Sequence, residues 1–221
     1  MSTASRSSVS PAVRLILFTL ATSAIGLLAV ALRAYGSGST AAAQATLLLY
    51  SIPANTGLSL FSHEVALLDY GARQALVLST LSATVGTVIA GVIDWRFFVP
   101  LLSSERLSAH RQRNVIRALL SRFTRAPFTV LVVTAASPIP YFPFKMMAFA
   151  IGYPLRRYLL ALTIARAPRY LVIAWVGAAL DPPAWLLLVI LAAMLAVAAL
   201  KEVAEHGLPA VKRMRVRRGR A

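Results

Sequence analysis

The chain has 221 residues, 58% of them hydrophobic and only 14% charged, with 23 Lys and Arg against 7 Asp and Glu for a net charge of +16. A soluble domain carries about 25% charged residues, so this composition, with a mean hydropathy of +0.72, argues against a soluble domain and for a bilayer as solvent. The chain has no cysteine, which excludes disulfides, thiolate metal sites and a cysteine nucleophile, and its basic residues lie between and after apolar runs, as in cytoplasmic flanks, rather than as a nucleic-acid-binding face.

Residues 1–12 read as a polar, Ser-rich disordered tail. Residues 13–32 form a 20-residue apolar run interrupted only by Arg14, about 30 Å as a helix and enough to cross the hydrocarbon layer. A cleaved signal peptide is the competing reading, with Ala29, Val30 and Ala31 as the cleavage site; against it, a signal core is usually about 7–15 residues. A Gly- and Ser-rich loop follows at 35–40.

Residues 41–70 are apolar but interrupted by Pro53, Asn55, Gly57, His63, Glu64 and Asp69. Proline lacks an amide proton and clashes with the preceding turn, so a helix is expected to break at Pro53. Two half-helices meeting at such a break make a re-entrant hairpin, tolerated at depth only where protein or a wet cavity shields it. Residues 73–93 read as a full span whose Gly86 and Gly91 allow close helix approach. Residues 94–125 carry seven arginines, and from Ser104 onward Leu107, Ile116, Leu119, Leu120 and Phe123 recur at helical spacing. The expectation is an amphipathic helix in the cytoplasmic interface, with a solvated basic loop as the alternative.

Residues 127–152 are a second broken apolar stretch, interrupted at Ser137, Pro138, Ile139 and Pro140 and closed by Gly152. Residues 155–180 form a span interrupted at Arg166, Ala167, Pro168 and Arg169, with Pro168 and Gly177 as expected structural breaks; Asp181, Pro182 and Pro183 make a turn; residues 184–200 are a last apolar span; and 201–221 are a basic tail. With both termini cytoplasmic, every large basic cluster falls inside. The predicted architecture is an all-α, polytopic integral membrane protein with about four transmembrane helices and two opposed re-entrant hairpins forming an inverted repeat. Residues 13–200 would be a single membrane domain. Transporters use such repeats, with broken helices meeting at mid-membrane.

Arg166 and Arg169 stand three apart on one helical face near the middle of a span, where each costs about 2.5–3.5 kcal/mol. They are expected to face the protein interior or water and to hold a lipid headgroup, unless the helix sits shallow and both reach an interface. Pro168 frees the carbonyl of Ile164, which is expected to face a polar cavity. Glu64, Asp69 and His63 are the candidates for proton coupling, and Glu64 is expected to pair with Arg166 or Arg169. Asp69 is the weaker of the two acids, nearer the outer surface, and reads more readily as a helix-end charge. Lys145 either binds a lipid phosphate or extends to the cytoplasmic headgroups. Asn55 and Ser137, at the two breaks, are candidate hydrogen-bond partners of a headgroup. No HExxH, P-loop, GxGxxG or nucleophile elbow occurs, and no metal-ligand spacing is present. No enzyme, cofactor or metal is expected.

The segment from Ser137 through Pro140, then Ile151 and Gly152, then Arg166, Pro168 and Arg169, then Gly177, resembles the pattern of the DedA/VTT family, also called SNARE-associated Golgi proteins. The upstream match is looser, at Pro53, Glu64, Gly71, Gly86 and Gly91, and the resemblance spans residues 50–177. It implies two opposed re-entrant hairpins among transmembrane helices and a role in moving lipids across bilayers. Bacterial members are linked to recycling a polyprenyl-phosphate carrier and to proton-dependent homeostasis, and eukaryotic members resemble scramblases. The chain departs from the pattern where Ala135 and Ala136 precede the second break and Lys145 is the only cation after it.

The functional expectation is a flippase or scramblase moving phospholipid or polyprenyl phosphate, placed in a bacterial inner membrane. Its partners would be membrane lipids with anionic headgroups, and not nucleic acid. A proton-coupled transporter of small solutes or ions and a non-transporting membrane scaffold are the alternatives. A homo-oligomer is compatible with each.

Overall fold

The structure is a computed structural model that describes residues 11–35, 38–56, 63–102, 123–137 and 141–183, with a subset of positions between 185 and 196. Expectations for residues 1–10, the basic segment 103–122, Pro138, Pro140 and the tail 201–221 lie outside the described residues. The described residues contain helices and no strand.

The chain divides into two compact units, residues 1–180 and 181–221. The first holds seven helices among its described residues: α1 (Pro11–Tyr35), α2 (Thr40–Asn55), α3 (His63–Arg73), α4 (Leu76–Leu102), α5 (Pro127–Ala136), α6 (Phe142–Ala150) and α7 (Leu155–Leu180). In the second, Asp181 adopts a positive φ of 39°. The Leu186 amide then donates to the Pro183 carbonyl at 2.9 Å, and the described residues from Trp185 onward are helical.

The helices begin and end where local chemistry directs. Ser39 caps α2 by accepting the Ala42 amide at 3.3 Å. Pro127 and Pro143 stand in the first turns of α5 and α6, where no amide proton is needed. Gly152 takes φ +66° after α6, with the Tyr153 amide on the Ala148 carbonyl at 2.9 Å and the Gly152 amide on the Phe149 carbonyl at 3.1 Å. That is a Schellman closure, and glycine adopts this φ without strain.

Two long helices, α4 and α7, are apolar enough to cross a bilayer, and only 44% and 28% of their most apolar segments are buried in the fold. The core helix of a soluble protein is mostly covered; these present Leu81, Val85, Leu160, Val172 and Trp175 outward, while Asp94 and Lys145 are buried. An apolar outside with charge inside is the distribution a hydrocarbon solvent favours.

Three boundaries differ from the sequence expectation. Pro53 does not break α2; it sits inside the last turn, and the helix ends at Asn55 with the Thr56 amide on the Pro53 carbonyl. A proline this close to a C-terminus removes one ladder bond and leaves the rest intact. The span expected to stop at Ile93 continues through Asp94 to Leu102. Pro168 and Gly177 likewise interrupt nothing and lie within a continuous α7. Pro168 and Ile164 are both exposed, so the carbonyl that Pro168 frees lies on the outer face of α7 rather than toward a cavity.

The order of two short helices followed by a long one occurs twice, as α2–α3–α4 and as α5–α6–α7. The two triplets interlock: α3 packs along α7, α6 against α4, and α4 against α7. The α3–α7 crossing is close because it is built on two glycines. A Cβ on Gly71 would collide with the Ala174 backbone, and one on Gly177 with the Leu68 backbone. One apolar cluster joins the end of α4 to α5, α6 and the start of α7, and a second joins α2, α3, α4 and the middle of α7. Along α7, Ala165 belongs to the first and Tyr170 to the second; Arg166 and Arg169 fall between them.

Candidate functional site

The C-terminal ends of α2 and α5 and the N-terminal ends of α3 and α6 converge on this polar stretch of α7. The last carbonyls of a helix carry partial negative charge and lack intrahelical partners, and both of these ends meet a cation. Arg169 Nη1 donates to the Ser137 carbonyl at 2.9 Å and the Ala135 carbonyl at 3.4 Å, at the end of α5. Its Nη2 donates to Glu64 Oε1 at 2.9 Å, at the start of α3. Lys145 Nζ, on α6, donates to the Asn55 carbonyl at 3.4 Å, at the end of α2, and to Asp94 Oδ2 of α4 at 2.6 Å.

Arg166 differs from both. Its Nη1 donates to Asn55 Oδ1 and to the Tyr170 hydroxyl, each at 3.3 Å, and its guanidinium lies 5.4 Å from the Tyr141 ring centroid. No carboxylate lies within ion-pairing distance of it among the described residues, and its buried Nε has no hydrogen-bond partner. Tyr170 positions this group: its hydroxyl donates to Asn55 Oδ1 at 3.0 Å and shares a 2.9 Å hydrogen bond with Thr87 Oγ1 of α4. Asn55 is oriented in turn by its Nδ2, which donates to the Ser51 carbonyl at 2.8 Å.

Of these side chains, Asn55, Glu64, Tyr141, Lys145 and Arg166 border a cavity of ≈ 260 Å³, which Ala54, Thr56, His63 and Phe142 also line. Among the described residues the cluster holds three cations, Lys145, Arg166 and Arg169, against two carboxylates, Asp94 and Glu64. The excess is one positive charge, and Arg166 is the cation without a carboxylate.

The structure brings together most residues singled out in the sequence, in altered roles. Glu64 pairs with Arg169, as one of its two expected pairings had it, and borders the cavity. His63 is buried, with Nε2 2.9 Å from Ser51 Oγ and its ring against Tyr170. Asn55 faces the cavity with its side-chain oxygen already engaged. The Ser137 hydroxyl donates to the Thr134 carbonyl, and it is the Ser137 backbone that meets Arg169. Lys145 does not extend to a headgroup region; it is buried against Asp94. Asp69 stands apart, paired with Arg73 one turn away on α3 and outside the cavity lining.

Sequence reasoning missed Asp94, Tyr170, Thr87 and Tyr141. Asp94 was the legible one: a single acid inside a 27-residue apolar helix is costly unless partnered. Among the described residues, no cluster of His, Asp and Glu is arranged to hold a metal ion. No family model, curated protein or solved structure matches the chain.

Proposed function

We propose that the protein is an integral membrane transporter of the DedA/VTT type that moves an anionic lipid, a phospholipid or a polyprenyl phosphate, across the bilayer as a flippase or scramblase. In this reading α2–α3 and α5–α6 are re-entrant hairpins that enter from opposite faces of a bacterial inner membrane, and their tips meet at the cavity. The carrying observation is Arg166, a cation with a vacant buried Nε and no carboxylate, facing a cavity between the two hairpin ends. A guanidinium suits a phosphate because its donors form a planar fork. The neighbouring cations are held by Asp94 and Glu64, so the cavity offers one net charge, enough to attract a headgroup and still release it.

The test is a proteoliposome assay with fluorescent phospholipid or polyprenyl phosphate in both leaflets and a membrane-impermeant quencher outside. Purified protein should expose the inner-leaflet label, and Arg166→Gln should slow that exposure at least tenfold while inserting normally. Wild-type protein that moves no labelled phospholipid or polyprenyl phosphate would sink the reading.

A second reading, proton-coupled transport of a small solute or ion, draws on Glu64 bordering the same cavity. It predicts proton flux after a pH jump that is lost in Glu64→Gln, whereas lipid movement without a gradient favours the first.

A further inference from the structure

Ser51 fixes the state of His63. The Ser51 hydroxyl lies 2.7 Å from the Leu47 carbonyl, which has no proton to give, so the hydroxyl donates there. Its oxygen is then the acceptor for His63 Nε2 at 2.9 Å. The neutral imidazole therefore carries its proton on Nε2 and a lone pair on Nδ1. His63 is 2% exposed and lines the cavity, and its buried Nδ1 has no hydrogen-bond partner.

Arg166 borders the same cavity in the complementary condition. Its Nη1 is engaged by Asn55 and Tyr170. Its buried Nε has no partner, and Nη2 makes no hydrogen bond among the described residues. The Nε–Nη2 edge is one of those that grip an oxyanion with two parallel donors. The lining thus holds an unused donor edge and an unused acceptor. A buried polar atom left unpaired is costly. A plain oxyanion satisfies the arginine and has no proton for Nδ1. An oxyanion that also bears a hydroxyl, or a protonated phosphate oxygen, satisfies both.

We infer that His63 is the specificity residue of the Arg166 cavity: Nδ1 accepts a hydrogen bond from the ligand, so the cavity favours an oxyanion that carries a proton donor over one of equal charge that carries none. The inference rests on the reading of Arg166 as an anion site and adds a second requirement to it. The two demands are separable. Arg166 serves any oxyanion, and His63 serves only one that brings a proton. A lipid headgroup and a free phosphate both offer this chemistry.

The experiment titrates full-length protein in detergent, by calorimetry, with two matched pairs. The soluble pair is inorganic phosphate against sulfate, at a pH where both are dianions and only phosphate keeps a proton. The lipid pair is short-chain phosphatidylglycerol against short-chain phosphatidylmethanol, which share a charge and differ in hydroxyls. The tighter-binding pair identifies the source as lipid or free phosphate. Within it, the donor-bearing member should bind about tenfold more tightly, the scale of one buried hydrogen bond. His63→Phe, which keeps a ring beside Tyr170, should bring that member down to the level of its partner. A structural role for His63 would instead weaken both members and keep the preference. Equal binding within that pair in the wild-type protein would overturn the inference, as would nitrogen NMR of histidine-labelled protein that puts the His63 proton on Nδ1. A preference that survives His63→Phe would move the acceptor to Glu64, on the same cavity, and overturn the assignment. Arg166→Gln separates the two levels: it should weaken all four ligands, and if it weakens none, the anion site itself is wrong.

Discussion

The Asp94 carboxylate and the Lys145 ammonium meet at 2.6 Å with side-chain exposures of 0% and 4%, joining the long helix of the first triplet to α6 of the second. Removing one partner of a buried pair leaves an uncompensated charge and costs about 3–5 kcal/mol, whereas replacing both by apolar groups is often neutral. Lys145→Met and Asp94→Leu should each lower the unfolding temperature in detergent by about 6–20 °C, at about 2–4 °C per kcal/mol for a chain of this length, and the double variant should recover most of that loss. Equal destabilisation by the double variant would show that the pair is not the source of the effect.

Arg169 ties Glu64 to the two carbonyls that end α5, which needs donors pointing in two directions. A lysine there keeps the charge and loses the fork. Arg169→Lys should therefore cost about 1–2 kcal/mol, less than a fully buried charged hydrogen bond because Glu64 is partly exposed. A double-mutant cycle of Arg169→Lys with Glu64→Gln, read by thermal unfolding, should be non-additive.

Gly71 and Gly177 set the distance between α3 and α7. Either one changed to alanine places a methyl group inside the backbone of the facing helix, and overpacking of this kind costs about 1–3 kcal/mol. Because α3 carries Glu64, the shift should also stretch the Glu64–Arg169 contact. Paired cysteines at Leu68 and Val176, introduced into the cysteine-free chain, should crosslink less readily in the Gly177→Ala background.

Tyr170→Phe removes the hydroxyl shared by Thr87, Asn55 and Arg166 while keeping the ring against His63. Stability should fall by about 1–2 kcal/mol. Lipid movement should fall further than that loss explains, because the Arg166 fork loses one of its two anchors. Unchanged transport at full occupancy would assign Tyr170 a packing role alone.

The sequence exposes the elements more readily than their connections. Hydropathy locates α1, α4 and α7, and the polar interruptions at Asn55 and Ser137 locate the ends of α2 and α5, because burial of backbone and charge in hydrocarbon is costly wherever it occurs. It misplaces Pro53 and Pro168, since a proline's effect depends on what lies beside the helix rather than on the helix itself. Arg166 and Arg169 stand out because two charges in one span demand an explanation. Their division of labour does not, since whether an arginine meets a carboxylate or a vacancy depends on residues about 105 positions away in the chain. Asp94 was read as the edge of a basic segment because an acid next to Arg96 and Arg106 looks interfacial until the helix is seen to run past it.

The charge cluster draws both of its acids from the first triplet and all three cations from the second. Asp94 precedes Lys145 by 51 residues and Glu64 precedes Arg169 by 105. At synthesis rates of about 5–20 residues per second, the wait is about 3–10 s for the first pair and about 5–20 s for the second. For that interval Asp94 and Glu64 are without the cations that they meet in the fold. Within this cluster the two triplets contribute opposite signs, so two copies of either could not stand in for one of each. Whatever symmetry the layout has, the pairing follows the direction of synthesis: Glu64 and Asp94 are made first, and the cations that meet them, Lys145 and Arg169, follow.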